Sequence, residues 1–315
     1  MKKSYPAFWQ GILLFISVIA VMLFICAPIQ AHLGLAGVAI TEGILLIMAL
    51  TAALLSKCPA KSVFPMTLIP PKQLLGAFML YGGVYMAIIP ATTLMSFFVP
   101  ELNEVSAGIV QIGTQLGPTA AVVIMAILPA ICEESVFRGF ILASHKSVKG
   151  SGSRLWKVFT VISVGVLFGI FHLDILRFPM TAVLGGLFAY IAIESGSMVP
   201  TILLHLVNNL MSVMAVYSMS GIDAAELEAA AEMTYTLPQL LASCMVYLGA
   251  ALLLVFFGQG IFKGIKHRRP SVIAAIAVSV VLIAVGYIIT YATMSQSDID
   301  ALGEILNAAV CITKI

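Results

Sequence analysis

Nine stretches of this 315-residue chain are apolar over roughly the length of a bilayer crossing. They lie near residues 8–28, 32–56, 74–99, 118–144, 156–173, 178–194, 198–219, 237–262 and 271–294. A run of about 18 to 20 apolar residues is what a helix needs to cross the hydrocarbon core, where lipid offers no partner to a backbone N–H or C=O and a helix satisfies both internally. Only 10 % of the residues are charged, well below the roughly 25 % of an average soluble domain. The chain is therefore expected to be all-α, a polytopic transmembrane helix bundle of about eight or nine spans, with the lipid bilayer as its surroundings. Three parts are expected: residues 1–117 with about three spans, a core at 118–219 in which roughly four helices carry the site, and 220–315 with two more spans and a tail.

The first apolar run follows Lys2 and Lys3, as a secretory signal would. It is longer than the about 7 to 15 residues of a signal core and shows no small-x-small cleavage site, so it reads as a retained helix. If the N-terminus is cytoplasmic, alternation puts segments 1–7, 57–73, 145–157, 195–197 and 263–270 inside, and these hold 13 of the 16 Lys and Arg residues. The positive-inside rule thus predicts N-in, C-out, and the protein is expected to be a multi-pass protein of a bacterial plasma membrane. The same rule accounts for the basic loop at 263–270, so no nucleic-acid partner is expected. Leu102, Val105, Ile109 and Ile112 recur at helical steps in the connection 99–117, which reads as a short loop helix on the bundle. Cys26, Cys58, Cys132, Cys244 and Cys311 form no CxxC pair or zinc-ligand spacing and read as small apolar residues.

Charge then appears where it costs most. The stretch LPAICEESVFRGF (128–140) puts Glu133, Glu134 and Arg138 inside the fourth span. An ionisable group there costs about 2.5 to 3.5 kcal/mol on insertion scales, so it faces the bundle interior and finds a partner. Glu134 and Arg138 are four residues apart with the acid first, the favourable order for pairing on one helix face. Glu133 projects about 100° away, which leaves it as the candidate general base. Pro129 has no N–H for the carbonyl of Met125, so a bend is expected beside the cluster. In the seventh span His205 and Asn209 also share a face and offer two directed donors, as a developing oxyanion requires. His172 closes the fifth span. By simple depth it lies toward the outer end while His205 lies nearer the inner face, and a common site needs them to converge.

The ordered set EESVFR (133–138), FGIFH (168–172) and HLVNN (205–209) resembles the EExxxR, FxxxH and HxxxN motifs of the CPBP intramembrane proteases, which include CAAX prenyl endopeptidases and Abi-type bacteriocin-processing proteins. Thirty-five residues separate Glu133 from Phe168 and 37 separate Phe168 from His205. The resemblance implies that Glu133 and His172 activate a water, that Glu134 orients the site with Arg138, that His205 and Asn209 stabilise the oxyanion, and that Phe168 packs at the site wall. It implies a peptide or membrane-protein substrate and leaves the oligomeric state open. No cofactor is expected; the alternative is zinc held by Glu133, His172 and His205, against which stand the divergence of the two glutamates and the lack of an HExxH motif. Other readings of the same residues are a proton-coupled transporter, in which buried Glu and His form a relay, and a non-catalytic immunity or binding scaffold. Outside the cluster, Glu42 is expected to be structural or interfacial, Glu194 to lie at the inner interface, and Asp174 and Arg177 to pair with each other at the outer rim.

Overall fold

The computed structural model describes residues 4–99, 117–219 and 236–294. The loop helix expected from Leu102 to Ile112, the acidic stretches near 101–104 and 221–232, Lys2, Lys3 and Cys311 lie outside the described residues. Among those that are described, nine helices are long and apolar enough to cross a membrane: α1 (Phe8–Leu33), α2 (Leu35–Ser56), α3 (Pro71–Met95), α4 (Pro118–His145), α5 (Arg154–Phe171), α6 (Phe178–Ser195), α7 (Val199–Ser218), α8 (Leu237–Lys263) and α9 (Arg269–Thr293). The chain is an all-α polytopic bundle and an integral membrane protein.

Local sequence explains where the helices begin and end. Ser153 caps α5 by accepting from the Trp156 N–H at 3.1 Å, satisfying one of the donors that a helix start leaves open. Thr236 and Gln239 form a capping box at the start of α8, and Pro238 occupies its first turn, where the missing N–H costs nothing. At the other end, α6 and α8 stop at Gly196 and Gly264, both left-handed at φ 67°, a conformation that glycine adopts without a Cβ clash.

α4 departs from regular geometry. It carries two π-helical segments, Val122–Ile127 and Ser135–Ile141, with a stretch of α-helix, Leu128–Glu134, between them. The expected bend at Pro129 takes this form: Pro129 sits in the first turn of the α stretch, and the Leu128 N–H reaches back five residues to the Val123 carbonyl. The wider turn absorbs the residue that cannot donate. More than any other span, α4 is enclosed by its neighbours, with 56 % of its most apolar window buried.

Small residues let the helices approach. A Cβ on Gly165 of α5 would stand 2.6 Å from the Ala182 carbonyl oxygen of α6, and one on Gly258 of α8 would stand 2.9 Å from the Leu80 nitrogen of α3. α9 rests on α8 in the same way, with Gly286 against the Ala242 carbonyl oxygen. In lipid such close contact supplies the dispersion energy that hydrophobic burial supplies in water. The largest core cluster gathers apolar side chains of α1, α2, α4, α5 and α6 around Phe137, whose ring meets Phe168 and Phe171 edge-on at 5.0 and 5.3 Å. The start of α7 is pinned by the loop before α3: the Met198 N–H donates to the Pro65 carbonyl at 2.8 Å and the Ser197 hydroxyl to the Thr67 carbonyl at 2.6 Å. That anchor sets the height at which His205, two turns on, enters the bundle.

One expected pairing among the outlying charges does not form. Asp174 does not pair with Arg177; its Oδ1 accepts the backbone N–H groups of Leu176 and Arg177, at 2.9 and 3.2 Å. A short carboxylate two or three residues before open N–H groups finds them more easily than it holds a long, exposed guanidinium. Glu42 is buried within the bundle, 4 % exposed, which fits the structural side of its expected role. Glu194 does lie at a helix end, where it pairs with Lys157 and, at 3.2 Å, with Lys263.

Candidate active site

The α4 cluster is built around a fully buried ion pair. Glu134 Oε1 accepts from Arg138 Nη1 at 2.7 Å, one helical turn away, and neither side chain is exposed. The second guanidinium nitrogen, Nη2, donates to the Gly185 carbonyl of α6 at 3.0 Å. Gly185 also makes room for Phe168, whose Cβ would lie 2.7 Å from a Cβ placed on that residue. The guanidinium carbon stands 4.5 Å from the Phe168 ring centroid and 5.3 Å from that of Phe188, so two aromatic faces replace part of the water the cation has lost. Breaking a pair of this kind leaves an uncompensated buried charge, which is costly; keeping it fixes geometry.

His205 joins the cluster from α7. Its Nδ1 lies 3.0 Å from Glu134 Oε1, and its Nε2 lies 3.9 Å from Glu133 Oε2. Because a carboxylate already held by Arg138 can only accept, Nδ1 carries the proton and Nε2 is the edge turned to Glu133. Glu133 Oε2 is buried and has no hydrogen-bond partner among the described residues, and the 3.9 Å gap is too long for a hydrogen bond. Two carboxylates and one guanidinium sum to a single excess negative charge. These four groups are electrically neutral when one further proton is held between Glu133 and His205.

Phe168 resolves the question of depth. Its ring centroid lies 4.8 Å from that of His172 and 5.9 Å from that of His205, so both imidazoles flank one phenyl ring. His172 Nδ1 donates to the Phe168 carbonyl at 2.8 Å, which leaves Nε2 as the free nitrogen. The helix stops immediately after it, with Leu173 in the left-handed region at φ 52°. Glu133, Glu134, Arg138 and His205 are thus brought together directly, and His172 joins them through its contact with the Phe168 ring.

Asn209 is one turn beyond His205. Its Oδ1 accepts from Asn208 Nδ2 at 3.1 Å, and Asn208 Oδ1 accepts from the Tyr81 hydroxyl of α3 at 3.1 Å. Tyr81, Asn208, Gly185 and Phe188 were not singled out by sequence reasoning. Glu42 of α2 is an electrostatic neighbour of both Glu133 and Cys132, and its Oε2 has no hydrogen-bond partner among the described residues.

Zinc on Glu133, His172 and His205 is the alternative to a metal-free site. Among the described residues no three His, Cys, Asp or Glu side chains converge as metal ligands. His205 Nδ1 is taken by Glu134 and His172 Nδ1 by a backbone carbonyl, which leaves one nitrogen free on each ring. Tetrahedral zinc needs its donors at about 2.0 to 2.2 Å around one point.

One comparison with known proteins covers this part of the chain. Residues 115–211 match the family model for Rce1-like type II CAAX prenyl endopeptidases. The Rce1-like segment begins at the approach to α4 and runs past Asn209, so it holds every member of the cluster except those that α2 and α3 bring to it. Neither the curated proteins nor the solved structures contain a match to the chain.

Proposed function

We propose that the protein is an intramembrane endopeptidase that hydrolyses a peptide bond of a membrane-associated protein or peptide with a water activated by Glu133. The observation that carries this reading is the unpartnered, buried Oε2 of Glu133 facing His205 Nε2 across 3.9 Å, in a segment similar to Rce1-like endopeptidases. Glu133 and His172 Nε2 hold the water. As its oxygen bonds to the substrate carbonyl carbon, Glu133 takes one of its protons. The carbonyl oxygen becomes an oxyanion and meets the Asn209 amide and the Nε2–H of protonated His205, whose ring Glu134 and Arg138 hold in place. Collapse breaks the C–N bond, and the proton on Glu133 passes to the departing nitrogen, giving a carboxyl and an amino terminus. No metal takes part in these steps.

The setting belongs to the same proposal: a bacterial plasma membrane with the N-terminus inside, and a role in peptide maturation or bacteriocin immunity. The distribution of Lys and Arg supports the orientation. The test is incubation of the detergent-purified protein and its Glu133→Gln variant with a diverse peptide mixture, with and without a zinc chelator, reading new termini by mass spectrometry. Products that vanish in the variant and survive chelation are expected. Loss on chelation would replace the metal-free mechanism, and cleavage by Glu133→Gln at the parent rate would remove the proposal.

A further inference from the structure

Asn209 does not stand alone on its helix face. It ends a chain of side-chain hydrogen bonds that starts on α3: Tyr81 Oη to Asn208 Oδ1 at 3.1 Å, then Asn208 Nδ2 to Asn209 Oδ1 at 3.1 Å. Two polarities of such a chain are conceivable, because a carboxamide can turn end for end and a phenol can donate or accept. Only one suits an anion. If Tyr81 donates, both amide oxygens are consumed in order and the free end of the chain is the Asn209 NH₂. If Tyr81 accepts, each amide is inverted and Asn209 presents its oxygen, which repels a developing oxyanion.

The surroundings of Tyr81 decide between the two. Its side chain is buried, 4 % exposed, and its ring is held between Tyr85 and Phe188, with centroids 5.7 and 6.3 Å away. Apart from Asn208 Oδ1, the hydroxyl proton has one other acceptor among the described residues, the thioether of Met211 at 3.9 Å. A thioether is a weak acceptor and an amide oxygen a strong one. The proton therefore goes to Asn208, and the preference propagates to Asn209. Phe188 also packs against His205, at 5.9 Å between centroids, so one aromatic ring spaces the tyrosine and the histidine whose neighbour it orients.

We infer that Tyr81, acting through Asn208, is a positioning residue that fixes the Asn209 carboxamide with its N–H edge presented to the substrate carbonyl. The inference rests on the peptidase reading for its catalytic consequence, though not for the hydrogen-bond chain itself. Tyr81→Phe keeps the ring and removes only the hydroxyl, whose proton sets the direction.

The experiment has two arms on the full-length protein in detergent. In the first, asparagine side-chain amide resonances are recorded by NMR with isotope-labelled asparagine in the parent and in Tyr81→Phe. Both Asn208 and Asn209 are expected to shift; an unmoved Asn209 resonance overturns the inference. In the second, peptide cleavage is measured for Tyr81→Phe, Asn209→Ala and the double variant. Tyr81→Phe is expected to lower kcat about tenfold at unchanged KM, since the loss falls on the transition state alone. Asn209→Ala is expected to lower it by roughly 10²–10³, and adding Tyr81→Phe to that background should change it by less than about twofold. Losses that multiply in full would overturn the coupling. A parent protein that cleaves nothing would sink the peptidase reading, while the resonances would still decide whether Tyr81 orients Asn209.

Discussion

Two glutamates in this protein each hold two basic partners, and their settings could hardly differ more. Glu134 meets Arg138 and His205 with no side-chain exposure of its own. Glu194 meets Lys157 and Lys263 at a helix end, where the three side chains retain 15, 32 and 28 % of their exposure. At the rim, water and salt compete for every charge, and two flexible lysines surround the acid without fixing it. In the interior the planar guanidinium is tied to a neighbouring backbone carbonyl and two aromatic faces, so the pair sets an angle and a position. The rim cluster joins the ends of α5, α6 and α8. The buried one aims an imidazole edge at a second carboxylate, and it is that spare acid, Glu133, which has no counterpart at the rim among the described residues.

Substitution can break this comparison at several points. Arg138→Ala should have the largest effect, costing about 3 to 5 kcal/mol because Glu134 is left buried against only His205; thermal melting in detergent measures it, and a fully folded, fully active variant would discard the pairing argument. His205→Ala should lower peptide turnover by roughly 10²–10³, which is about 3 to 4 kcal/mol in the barrier. Cleavage kinetics report this, and a loss confined to KM would count against a transition-state role. Gly185→Ala brings a methyl within 2.7 Å of the Phe168 Cβ, and overpacking of that order costs about 1 to 3 kcal/mol. A melting temperature equal to the parent's would mean that α5 and α6 separate more freely than their contacts imply. Smallest is Glu194→Gln, expected to cost under about 1 kcal/mol and to matter less as salt rises. If it rivalled Arg138→Ala, the rim cluster would be as fixed as the interior one.

Much of the architecture could be read from the sequence because lipid enforces it. Hydrocarbon leaves no alternative to long apolar helices, so the runs found by inspection lie within a few residues of α1 to α9. The pairing of Glu134 with Arg138 was equally legible, since both sit on one helix and obey its period. What could not be read involves contacts between helices far apart in the chain. Tyr81 and Asn208 are 127 residues apart, and neither breaks an apolar pattern strongly enough to attract notice. His205 was expected beside Asn209 as a donor pair; that its Nδ1 would be claimed by Glu134 depends on how α7 is anchored at Pro65 and Thr67. The π-helical turns of α4 are invisible to hydropathy, because they change which carbonyl each N–H meets and not which residues are apolar. Asp174 and Arg177 misled for a local reason: the nearest unlike charge lost to the nearest open backbone donors.

A buried cluster that is neutral with one proton held between Glu133 and His205 has a consequence for energetics across the bilayer. A single elementary charge carried through the full membrane potential is worth about 2.3 kcal/mol per 100 mV. Glu133, Glu134, Arg138 and His205 together, holding one exchangeable proton, present no net charge to that field, and the steps proposed for them pass the proton from water to the leaving nitrogen within one site. Hydrolysis here would proceed at the same rate in an energised membrane as in a depolarised one, whereas a relay carrying protons from one face to the other through the same four residues would be driven by every millivolt.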